Sequence, residues 1–90
     1  MIEDTSIIDG VIMTSLKVIE VPGGNVFHGM KSNDPGYSGF GEAYFSTVDL
    51  GAIKAWKRHH KMTLNLIVPM GEVRFVIYDD RQYSESYGMF

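Results

Sequence analysis

Ninety residues carrying 8 Lys and Arg against 11 Asp and Glu have a net charge of −3, which excludes a general nucleic-acid or anionic-membrane binder, since either needs a basic excess. Cysteine is absent, so neither a disulfide framework nor a thiolate metal site can form. Apolar residues at 44% and aromatics at 12% suit a folded chain, and the length allows a single small domain over residues 1–90, able to bury only about 60–65% of its unfolded surface.

The first residues, Met1-Ile2-Glu3-Asp4-Thr5, lack the basic start and long apolar stretch of a secretory leader. No apolar run approaches the ~20 residues of a membrane span. A soluble cytoplasmic protein with no membrane partner is therefore expected. Val11 to Val21 is rich in Val, Ile and Thr, which predicts a strand broken near Ser15-Leu16. Pro22-Gly23-Gly24-Asn25 predicts a turn, because proline presets the corner and glycine reaches positive φ. Val26 to Lys31 reads as a short strand, and Ser32 to Gly39, with Asn33-Asp34-Pro35-Gly36, as a loop.

Phe40 to Val48 predicts a strand with Phe40, Glu42, Tyr44 and Ser46 on one face, and Asp49-Leu50-Gly51 turns the chain. The next strand is basic, gathering Lys54, Lys57, Arg58, His59, His60 and Lys61 around Trp56. Thr63 to Val68 and Val73 to Tyr78 then predict a hairpin around Pro69-Met70-Gly71-Glu72, with Leu64, Leu66, Val68, Val73, Phe75 and Ile77 on its apolar face. Short strands separated by Gly/Pro turns point to an all-β sandwich or barrel. Ser84 to Phe90 reads as a turn opening a further strand, whose apolar edge invites pairing with another chain.

The motif order resembles the dTDP-4-dehydrorhamnose 3,5-epimerases and the related nucleotide-sugar 3,4-ketoisomerases. The residues that carry it are Gly71-Glu72-Val73 running into Asp79-Asp80-Arg81, then Ser84 and Tyr87-Gly88-Met89-Phe90. Upstream, the segment Phe40 to Ser46, the stretch Gly51 to His60 and the turn Pro22 to His28 follow in the family's order. The resemblance spans nearly all of the chain and about the first half to two-thirds of a family domain. It implies a cupin-like (jelly-roll) β-barrel, complete or finished by dimerisation, without the family's C-terminal portion. The implied substrate is a dTDP-4-keto-6-deoxyhexose, and the implied chemistry is proton abstraction beside the ketone, in deoxysugar or surface-polysaccharide biosynthesis. No metal or other cofactor is implied, and the implied partners are the dTDP-sugar and a second copy of the chain.

By position, Lys54 stands for a family arginine on the nucleotide-sugar, Lys57 for the catalytic histidine, and His59 for the second histidine of the ketoisomerase His-x-His. Glu42 falls on a substrate-binding glutamine and Asp79 on the aspartate of Asp-x-Arg, while the keto-polarising lysine falls on Leu64. The family's tyrosine acid and histidine-supporting aspartate lie beyond Phe90.

Read as residues alone, His59 supplies an imidazole, a side chain whose ordinary pKa of roughly 6.5 suits acid/base work. Lys57 shares its nominal strand face as an electrophile, or as a base if burial lowers its pKa. Both equally suit a solvated strand. Lys54 and Arg58 flank Trp56 and could hold a pyrophosphate; the alternative is an edge strand kept soluble by charge. Trp56, Phe40, Tyr44 and Phe75 read as core rather than a ligand platform. His28 and His60 read as structural or solvated, and Arg81 as the partner of a neighbouring carboxylate. Glu42 is the acid that burial would make costly.

The candidate site is thus His59 and Lys57 for catalysis, with Lys54, Arg58, Glu42 and Asp79 for the substrate. The rival reading is a non-catalytic nucleotide-sugar-binding or structural cupin, or one part of a split enzyme. A third is a plain dimeric β-domain with no specific ligand.

Overall fold

Backbone pairing begins where the sequence supplies a turn that brings two β-branched stretches face to face. In the computed structural model, which describes residues 7–90, β1 (Val18–Ile19) and β2 (Val26–Phe27) pair antiparallel, Val18 opposite Phe27 and Ile19 opposite Val26. Between them Gly24 N–H donates to the Val21 carbonyl at 3.0 Å, with Pro22 at the second corner and Gly23 at φ +93° at the third. That is the type II arrangement, which requires a positive φ at its third residue. The His28 N–H extends the pairing by one bond to the Lys17 carbonyl at 2.9 Å.

The same local chemistry sets the other corners. Ala52 N–H closes onto Asp49 at 2.9 Å with Gly51 at φ +77°. Asp34 closes onto Lys31 at 3.0 Å and its Oδ2 accepts the Lys31 N–H at 2.7 Å. Tyr37 closes onto Asp34 across Pro35-Gly36 at 3.0 Å.

The expectation of an all-β, cupin-like jelly-roll barrel is overturned. Among the described residues there is no helix, and the two short strands form one open sheet. The predicted strands at 40–48, 52–61, 63–68 and 73–78 carry no ladder, and no hydrogen bond closes the predicted hairpin at Pro69 to Glu72. The reason is physical: β-branched and aromatic residues favour a strand where a pleated, half-buried surface receives them, and no such surface is built here. Met1 to Thr5, whose composition differs from that of a secretory leader, lie outside the described residues.

The aromatic core expected from Trp56, Phe40, Tyr44 and Phe75 is likewise not formed; all four are exposed, Trp56 at 69%. Ile8 is the buried hydrophobic residue among those described, and Asp79 and Ser86 are the buried polar ones. The accessible surface is 8608 Å², against about 5,300 Å² for a compact protein of this mass. The radius of gyration, 15.1 Å, exceeds the ~12 Å of a compact 90-residue domain. The described residues are held by turns, one short hairpin and one polar cluster.

Candidate functional site

The basic stretch is anchored at two of its cations. Lys54 Nζ donates to Ser46 Oγ at 2.8 Å and to the Thr47 carbonyl at 3.0 Å. The turn at Asp49 to Ala52 makes this possible by reversing the chain between donor and acceptors. Arg58 Nη2 lies 3.1 Å from Asp80 Oδ2, with side chains 68% and 46% exposed. At that exposure water screens the pair, and its worth is under ~1 kcal/mol.

Lys57 and His59 are exposed, and among the described residues neither side chain has a hydrogen-bond or ion-pair partner. Glu42 is exposed as well, so the desolvation cost that would have made it conspicuous does not arise. Lys54, Lys57, Arg58 and His59 are thus neighbours in the chain and all exposed.

Asp79 stands in another environment. Its side chain is fully buried, and its two oxygens accept five hydrogen bonds. Oδ1 takes the Arg81 backbone N–H at 3.0 Å and Arg81 Nε at 2.8 Å. Oδ2 takes Arg81 Nη2 at 2.9 Å, Ser84 Oγ at 2.7 Å and Ser86 Oγ at 2.6 Å. The fork of a guanidinium fits a carboxylate in this way, and such charge-assisted bonds are short and strong. The Arg81 bonds, followed by those of Ser86 and Ser84, hold the Asp79 carboxyl well below the usual carboxylate range against the opposing effect of burial. The hydrogen bond to Asp79 in turn holds the Arg81 guanidinium above its ordinary value. Arg81 lies 6.0 Å from the centroid of the Tyr83 ring, at the outer edge of cation–π range.

The backbone around Asp79 is equally engaged. Its N–H donates to the Met89 carbonyl at 3.0 Å and its carbonyl accepts the Gly88 N–H at 2.8 Å. The chain returns through turns closed by Ser84 N–H onto Arg81, Tyr87 N–H onto Ser84 and Met89 N–H onto Ser86, the last with Gly88 at φ +81°. Arg81 and Ser84 stood out in the sequence, but Ser86 and its connection to Asp9 did not. The available signal was the polar run Asp79-x-Arg81-x-x-Ser84-x-Ser86, whose residue types favour side-chain-to-backbone bonds in turns.

Two open grooves flank the hairpin. One of about 340 Å³ is lined by Thr14, Lys17, His28, Lys31 and Asp34 among others. The other, of about 330 Å³, is lined mainly by apolar residues including Leu16, Phe27, Leu66 and Ile67. Neither is lined by the 54–61 stretch. Among the described residues no group of three or more His, Cys, Asp or Glu could hold a metal ion, and no helix is long and apolar enough to cross a membrane. Comparison with protein-family models, curated proteins and solved structures gave no match.

Proposed function

We propose that this chain acts on a dTDP-4-keto-6-deoxyhexose as an epimerase or isomerase, moving a proton at a carbon beside the ketone. The observation behind this reading is the exposed stretch in which Lys54 and Arg58 are anchored while Lys57 and His59 remain free for a ligand. His59 is the acid/base and Lys57 assists at the keto oxygen, where an enolate needs a positive partner. Lys54 and Arg58 take the diphosphate, Arg58 by exchanging its screened contact with Asp80 for a phosphate oxygen. Glu42 meets a sugar hydroxyl, and Asp79 is included in the substrate-binding set by its place in the Asp-x-Arg motif. The order of motifs that resembles the nucleotide-sugar epimerases supports the substrate class, with the cytoplasm as the place of action and a homodimer as the assembly.

The extent of exposed apolar side chains favours a second reading, in which the chain is a binding subunit or one part of a split enzyme. Val73, Phe75, Ile77, Leu64 and Leu66 are all exposed, and apolar side chains left uncovered in this number suit a surface that another chain covers.

The test is solvent-deuterium exchange followed by NMR, with dTDP-4-keto-6-deoxyglucose in D₂O and the His59→Ala and Lys57→Ala proteins alongside. Label entering C3 or C5 only when His59 is intact supports the epimerase and assigns the base. Loss in Lys57→Ala alone moves that role to the lysine. Binding of the nucleotide-sugar without exchange selects the second reading, and absence of both sinks the two together.

A further inference from the structure

Residues 8–11 meet the Asp79 cluster in an unusual way. Val11 N–H closes onto the Ile8 carbonyl at 3.2 Å, with Asp9 and Gly10 at the corners and Gly10 at φ +84°, the positive angle that a type II turn demands. In such a turn the N–H and carbonyl of the second residue remain outside the turn's own hydrogen bond. Here both are taken by the cluster. Asp9 N–H donates to Ser86 Oγ at 2.8 Å, and Arg81 Nη2 donates to the Asp9 carbonyl at 2.6 Å. Ser86 Oγ in turn donates to Asp79 Oδ2 at 2.6 Å, so one hydroxyl passes the carboxylate's polarity on to the backbone of residue 9. No side-chain atom of Asp9 takes part in these bonds.

We infer that Asp79, Arg81, Ser84 and Ser86 form a preassembled seat that recognises the backbone of a glycine-containing type II turn, and that residues 8–11 occupy it as a latch. Asp79 organises the seat without touching the turn, Ser84 holds the carboxylate from the other side, and Ser86 and Arg81 make the contact. Specificity then lies in turn geometry and in the backbone N–H and carbonyl of residue 9, while the Asp9 side chain adds a through-space attraction to Arg81 and none of the bonds. This inference uses none of the residues of the basic stretch and shares only Asp79 with the proposed substrate-binding set.

The experiment is amide hydrogen exchange by NMR on the full chain, read at Val11 and Gly88. Asp9→Ala keeps both backbone groups and should leave exchange within twofold of wild type. Asp9→Pro suits the second corner of a type II turn yet removes the N–H, and should raise exchange at Val11 at least fivefold. Ser86→Ala removes the acceptor and should do the same, with the double variant no worse than the more affected single one. Equal opening by Asp9→Ala and Asp9→Pro would show that the side chain is what is recognised and overturn the inference. Unchanged exchange in Asp9→Pro would overturn it too, even if Ser86→Ala failed to fold.

Discussion

Asn65 Nδ2 donates to the carbonyl of Gly36 at 3.1 Å, a bond between residues 29 apart in the chain. It ties the Pro35-Gly36 corner to the 62–68 segment, which has no ladder of its own. The absence of a side chain at 36 is what admits the contact, because a Cβ there would lie 2.8 Å from Asn65 Oδ1, well inside van der Waals separation. Gly36→Ala should therefore displace Asn65 and lose about 1 kcal/mol or less, as befits an exposed hydrogen bond. The Asn65 side-chain amide resonance is the readout. If it keeps its wild-type position in Gly36→Ala, the two residues are not in contact.

Gly10 is the position where the seat imposes a backbone demand. An L-residue at φ +84° costs roughly 1–2 kcal/mol, so Gly10→Ala should loosen the 8–11 turn and speed amide exchange at Val11 several-fold. Gly41→Ala serves as the comparison, since a Cβ at 41 meets nothing within 4 Å and should leave exchange unaltered. Equal effects of the two substitutions would mean that the turn conformation is not what glycine provides.

The carboxyl of Asp79, held below the usual carboxylate range by its bonds to Arg81, Ser86 and Ser84, sets a direction for pH. Its stabilising contribution is fully present above the ordinary aspartate value of about 3.9 and is lost progressively as pH falls from there toward the lower folded-state value. Protection of the Gly88 amide, corrected for intrinsic exchange, should therefore hold constant from pH 7 to about 5 and decline only in stronger acid. Asp79→Asn should abolish this acid dependence and lower protection throughout. A decline centred near pH 6 would point to a different group.

The ion pair of Arg58 with Asp80 should contribute little by itself. In a double-mutant cycle of Arg58→Ala and Asp80→Ala, the coupling should be under ~1 kcal/mol and shrink further in 1 M salt, where the screening length is about 3 Å. A larger, salt-resistant coupling would place the pair in a drier setting than its exposure indicates.

Turns were the legible part of this sequence. Pro22-Gly23 and Asp49-Leu50-Gly51 declare their corners locally, and both corners form. Arg81 pairs with a neighbouring carboxylate, as its place at the end of a strand-like run suggested. The extended segments were legible only as propensity. Whether Leu64, Leu66, Val73 or Phe75 enters a ladder depends on a partner surface that none of these residues specifies, and the described chain leaves them uncovered. Of the candidate site, the clustering of Lys54 to His59 follows directly from the sequence, whereas Asp79 was legible as a special residue without its network. The bonds to its carboxylate come from Arg81, Ser84 and Ser86, but the further link from Ser86 to Asp9 spans 77 residues, and pairing over such a distance leaves no periodic trace.

The bond from Asp9 to Ser86 spans 77 residues, so forming it closes a ring that includes almost the whole described chain. Drawing together the ends of a flexible segment of that length costs about 4 kcal/mol in the logarithmic part of the closure entropy alone. The few short bonds of the seat must offset that cost every time the ring closes. A covalent staple between the two positions would remove it in advance. A single cross-link joining the 8–11 turn to the 84–89 turns would therefore restrict the open ensemble by that amount, without asking the seat to make any new contact.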